Sequence, residues 1–129
     1  MFLFVRGMVF FILFLPFLVS AHHSVALNFT QEVVVLEGKI KDIKWINPHA
    51  SFVLETKNQS GEVEEWLIEL LAVIALRRSD FNFDALTDGA YIKLTGRNGI
   101  KPYTMRFGEA ILSDGTSITE NAFFYRRDL

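Results

Sequence analysis

The chain contains no cysteine among its 129 residues. No disulfide framework can hold it, so packing and strand pairing must. The missing cysteine after the opening apolar run also excludes a bacterial lipoprotein. The sequence has no His-Glu-x-x-His zinc spacing, no carboxylate-rich metal cage and no phosphate-cradling glycine loop. Ser24 stands beside His23, but neighbours in an arm do not make a nucleophile–base pair, and no Ser/His/Asp triad is expected. Neither an internal repeat nor a low-complexity segment follows the first 21 residues. Excess positive charge is lacking too. The formal net charge is −2, which leaves no electrostatic footprint for nucleic acid.

What is present begins with a segment unlike the rest. Residues 1–21 carry one charge, Arg6, followed by the apolar run Met8–Val19. Val19-Ser20-Ala21 then places small residues where signal peptidase reads them. The run is shorter than the roughly 20 residues of a spanning helix, and Pro16 interrupts it. We expect a cleavable signal peptide over 1–21 and a destination outside the cytoplasm, periplasmic or secreted. An uncleaved membrane anchor is the alternative. Membrane contact is expected only through this segment before cleavage. Its removal takes away Arg6 alone and leaves a domain with 12 cationic and 15 anionic side chains. That length still suffices for one core.

Period-two alternation dominates the remainder. Val33–Ile46 reads as a long strand in which Val34, Leu36 and Ile40 share one phase and Ile43 and Trp45 the other. A phase change inside one strand predicts a β-bulge near Lys41-Asp42, with Gly38 allowing a bend. Pro48 ends this strand. Further strands are predicted over Ser51–Lys57, Val63–Leu70, Ala90–Gly96 and Met105–Leu112. A short helix is expected over Leu71–Arg78, with Arg77-Arg78 suiting its C-terminus. Asn58–Gly61, Thr87–Gly89 and Ser113–Gly115 read as turns, and Gly96–Tyr103 as a loop. Strand, strand, strand, helix, strand, strand is the element order of an OB-fold. The expected fold is therefore all-β with one short helix, an OB-like five-stranded barrel over 33–118. A 22–32 N-terminal arm precedes it and a 119–129 C-terminal tail follows. Val34, Leu36, Ile40, Phe52, Leu54, Ile68, Ile92 and Leu94 are its expected core.

The three histidines fall in two short motifs, His22-His23 and Asn47-Pro48-His49. Cleavage after Ala21 makes His22 the mature N-terminus, whose α-amine and ring Nδ1 can chelate one metal. A second imidazole completes a three-nitrogen set suited to Cu(II). The ordinary α-amine pKa of about 7.7–8.0 lets a metal displace its proton near neutral pH. His22 with His49 is the long-range version, and His22 with His23 the local one. Against both stands the plainer reading of a flexible arm and a loop-capping His49. Trp45 and Trp66 read as sheet-face or core aromatics. Glu64-Glu65 reads as a solvated strand face, and Glu69 with Arg78 as a structural ion pair.

Ala21-His22-His23-Ser24, Trp45-x-Asn47-Pro48-His49, Trp66 before Glu69-Leu70, and Leu76-Arg77-Arg78 resemble a family of small exported bacterial proteins, domain-of-unknown-function family 6152. The resemblance covers about Ala21 to Gly115. It implies an OB-like β-barrel in the periplasm and assigns no activity. The sequence departs from the family pattern at Leu71-Ala72-Val73 and at Ser79-Asp80-Phe81, on either side of the helix.

The function expected is an exported OB-like binding module for an unknown small ligand or periplasmic protein. Copper held by His22, His23 and His49 is its sharpest form, and no catalytic residue is assigned. A copper-dependent redox enzyme is one alternative, and a structural or protein-interaction module without metal is the other.

Overall fold

The computed structural model describes residues 28–120. The expected signal peptide, His22, His23, most of the expected arm and residues 121–129 lie outside that range. Within it the chain is β-rich, with six strands and one short helix. The strands are β1 (Phe29–Lys44), β2 (Ser51–Lys57), β3 (Val63–Glu69), β4 (Tyr91–Gly99), β5 (Thr104–Leu112) and β6 (Ser117–Thr119). Helix α1 (Val73–Arg78) and a 3-10 turn at Phe83–Ala85 lie between β3 and β4.

The alternation along β1 does what its phase change required. Ile40 is buried, and Val34 and Leu36 on the same face pack partly buried against the core. Asp42 takes a positive φ of 52°. The register against β2 shifts between Lys41 and Lys44, and beyond the shift Ile43 and Trp45 join the core from the opposite phase. Gly38 is the first residue of β1 to pair with both neighbours, Thr56 of β2 and Ile92 of β4. A Cβ there would lie 2.1 Å from the Glu55 carbonyl oxygen. Only glycine lets the two backbones approach so closely.

β1 pairs antiparallel with β2 and β4, β2 with β3, β4 with β5, and β5 with β6. A parallel pairing of Leu67–Glu69 with Thr104–Arg106 joins β3 to β5. The pairings therefore run round a ring, β1–β2–β3–β5–β4 and back to β1. Inside it, Phe52, Leu54, Ile68, Ile92, Leu94, Met105 and Phe107 are buried. Each large apolar side chain removed from water in this way contributes on the order of 1.5–3 kcal/mol.

Several boundaries differ from the sequence reading. β1 begins at Phe29, so residues 29–32 belong to the strand and not to an arm. β4 runs on through Asn98-Gly99, because both residues still find partners across the sheet, at Met105 of β5 and Phe29 of β1. A sixth strand, three residues long, extends β5 after the Asp114-Gly115 turn. Thr119 closes it and Glu120 is buried, so the expected tail starts too early. The helix starts at Val73, because Leu70 and Leu71 are engaged in backbone hydrogen bonds with Ala50.

Candidate functional site

The Asn47-Pro48-His49 motif forms the turn between β1 and β2, and its Asn47–Pro48 peptide is cis. His49 is exposed, and the next residue, Ala50, is fully buried. The turn is anchored from both sides. Ala50 N–H donates to Leu71 O at 3.1 Å, and Leu70 N–H donates to Ala50 O at 2.8 Å. Before the turn, Trp45 packs edge-on against Phe83 and Phe81, with ring centroids 4.9 and 6.1 Å away. Phe81 in turn meets Phe107, which meets Phe52. These rings fix the segment after α1 against the end of β1 that carries His49. Ser79-Asp80-Phe81 thus has a local purpose. The Ser79 hydroxyl donates to Leu76 O at 2.9 Å, Asp80 adopts a φ of 54°, and Phe81 turns into the core.

His49 therefore stands on a well-held turn but brings only one imidazole. Among the described residues, no three His, Cys, Asp or Glu side chains converge as a metal-holding group. His22 and His23 lie outside the described residues.

Trp66 packs on the inner side of β3 and meets Tyr103 edge-on at 5.5 Å. Its Nε1 is buried without a hydrogen-bond acceptor among the described residues. Lys41 reaches across the outer face to Glu65 and Glu55. The hydrogen bond that Lys41 donates to Glu65, then the nearby carboxylate charges, raise the Lys41 pKa above its ordinary value. Glu64-Glu65 is thus not merely solvated, since Glu65 ties β3 to β1 across β2 and Glu64 accepts a bond from Asn58.

The buried ion pair lies elsewhere than expected. Among the described residues no bridge joins Glu69 to Arg78. Instead, Arg106 on β5 donates to Glu120 Oε2 at 2.6 Å and to the Glu69 carbonyl at 2.8 Å. Glu120 Oε1 also accepts the Leu71 N–H at 2.5 Å. Burial pushes the Glu120 pKa above its usual range against the opposing pull of Arg106 and Leu71 N–H. Neither member is legible in the sequence, because a lone Arg in a strand and a Glu beside the tail carry no local sign of pairing.

The family model described as Family of unknown function (DUF6152) matches residues 12–106. The chain belongs to this family. The match takes in both histidine motifs and the strands from β1 into β5, but stops short of Glu120. No curated protein and no solved structure matches the chain.

Proposed function

We propose that the protein is an exported, OB-like binding module that takes up Cu(II) at its mature N-terminus. The OB-like reading is supported by the ring of pairings, its parallel β3–β5 seam and the helix between β3 and β4. The metal reading is carried by one observation, that the sequence gathers two of its three histidines at the expected cleavage junction. The α-amine and Nδ1 of His22, with the His23 ring, supply three nitrogens without help from the folded domain.

The start of β1 bears on which second imidazole is used. Seven residue steps separate His22 from Phe29, a reach of at most about 25 Å. β1 itself has 16 residues, roughly 50 Å if straight, and His49 lies beyond its far end. Curvature shortens that span, but only five residues, 24–28, connect His23 to β1. The local His22–His23 version therefore fits this chain better than the long-range one through His49.

Calorimetric titration with Cu(II) tests the proposal on protein whose N-terminus has been sequenced as His22. One tight site is expected, unchanged by His49→Ala and weakened at least tenfold by a single residue added ahead of His22. Equal binding by the extended and unextended proteins refutes the chelate. A loss confined to His49→Ala restores the long-range version.

A further inference from the structure

The first half of β1 is paired on one side only. Val33–Glu37 pair with Arg97–Lys93 of β4, whereas pairing with β2 begins at Gly38. Among the described residues no strand lies along the other edge of residues 29–37. Alternate residues of a strand direct their N–H and C=O groups to such an edge, where they form a template for another strand. Proteins usually blunt exposed edges with lysine or proline, and residues 30–37 contain neither. Instead the edge carries Val33-Val34-Val35, with Val33 64% and Val35 51% exposed on the outer face.

We propose that this edge pairs with the same edge of a second copy, antiparallel about a two-fold axis at Val34. Three features favour a second copy as the occupant. In an antiparallel pair, directly opposed residues lie on the same face of the sheet. An axis through a residue, not between two, opposes outward positions to outward ones and so keeps both ring interiors on one side. At Val34 it sets the exposed Val33 of one copy against the exposed Val35 of its partner, twice over, burying apolar on apolar. Within Val33–Val35 the contact carries no charge, and Glu37 falls opposite residues 30–32, where the register of β1 is irregular. A shift of the axis by half a residue would turn one outer face inward. Such a symmetric, self-complementary contact closes on itself as a dimer and leaves neither copy's β1 edge open.

The test uses protein expressed from its full coding sequence. Sedimentation should show a concentration-dependent dimer, and Val35→Lys should weaken it at least tenfold. Because Val35 is exposed, the variant should keep the wild-type unfolding temperature within a few degrees. The absence of cysteine allows a second, independent readout. Equal mixtures of Val33→Cys and Val35→Cys should form a disulfide-linked dimer on mild oxidation. Either variant alone should link far less, because its thiols would sit diagonally and beyond disulfide reach. A monomer at several hundred micromolar, as expected if a different chain occupies this edge, overturns the proposal. Cross-linking no greater in the mixture than in the single variants overturns it as well.

Discussion

Replacing Glu120 by Ala should be the most damaging single polar substitution in the domain. The Glu120 side chain is 4% exposed and that of Arg106 13% exposed. Removing one member of a buried pair typically costs about 3–5 kcal/mol, because the remaining charge stays desolvated. Here the Leu71 N–H also loses its acceptor, a further term of about 1–3 kcal/mol. Against this, Arg106 keeps the Glu69 carbonyl and can lean toward water. A net loss of about 3 kcal/mol is expected, a large share of the roughly 5–15 kcal/mol typical of a domain. With a urea dependence of about 1–1.5 kcal/mol/M, the unfolding midpoint should fall by roughly 2–3 M. The double variant Arg106→Met with Glu120→Ala should be little worse than Glu120→Ala alone, since it no longer strands a charge. The coupling in such a cycle should exceed about 1.5 kcal/mol. A loss below about 1 kcal/mol, or strictly additive effects, would refute the view that Glu120 fastens β5 to the junction between β3 and α1.

Acidification offers a separate check on Glu120. Its folded pKa lies above its ordinary 4.5, so between those two values the folded chain holds more protons than the unfolded one. Its contribution to stability should therefore fall as pH rises through that window. Glu120→Gln should flatten this slope in unfolding measured from pH 4 to 7, and an unchanged slope would contradict the assignment. Gly38→Ala should cost at least about 1–3 kcal/mol by forcing β1 away from the Glu55 carbonyl, and an unshifted melting temperature would show the approach is not tight. Trp66→Phe should cost less than about 1.5 kcal/mol, well under a usual aromatic truncation, because it removes an unpaired buried N–H while keeping a ring against Tyr103; a loss above about 3 kcal/mol in urea unfolding would reveal a partner for Nε1.

The features that could be read from the sequence are those that local pattern dictates. The phase reversal between Ile40 and Ile43 forces a bulge whatever the surrounding fold, and the structure places it at Asp42. Six of the eight expected core residues are buried, and the other two, Val34 and Leu36, lie where β1 extends past β2. Strand ends are set by partners, not by pattern. Phe29 is strand because Gly99 opposes it, and Asn98-Gly99, which resemble a turn in isolation, are held by β5 and β1. β6 is three residues long, too short for any alternation to register. The ion pair is illegible for the same reason. Arg106 and Glu120 meet through the β5–β6 pairing and the buried junction at Leu71, and no spacing rule encodes that meeting.

The histidine motifs show the limit from the other direction. Their chemistry is legible because it is local. A terminal amine and its own imidazole form a chelate from one residue, and adjacency supplies the third nitrogen. Whether His49 can join depends on distance, which the sequence carries only through where strands begin. Nine connecting residues, 24–32, would allow a fold-back along the sheet. With β1 starting at Phe29, five remain, and the contour of the strand lies between the two motifs. The turn bearing His49 is held by Ala50, Leu71 and the Trp45–Phe81–Phe83 rings, so it cannot move toward the terminus without breaking core contacts. A copper site that used His49 would have to come with a sharply curved β1 or with the terminus of a second copy. The β1-edge dimer runs its two first strands antiparallel, which carries the start of one strand toward the far end of the other. Loss of copper affinity in both His49→Ala and Val35→Lys would therefore point to a site shared between copies. Unchanged affinity in both variants leaves the local His22–His23 chelate as the whole of the site.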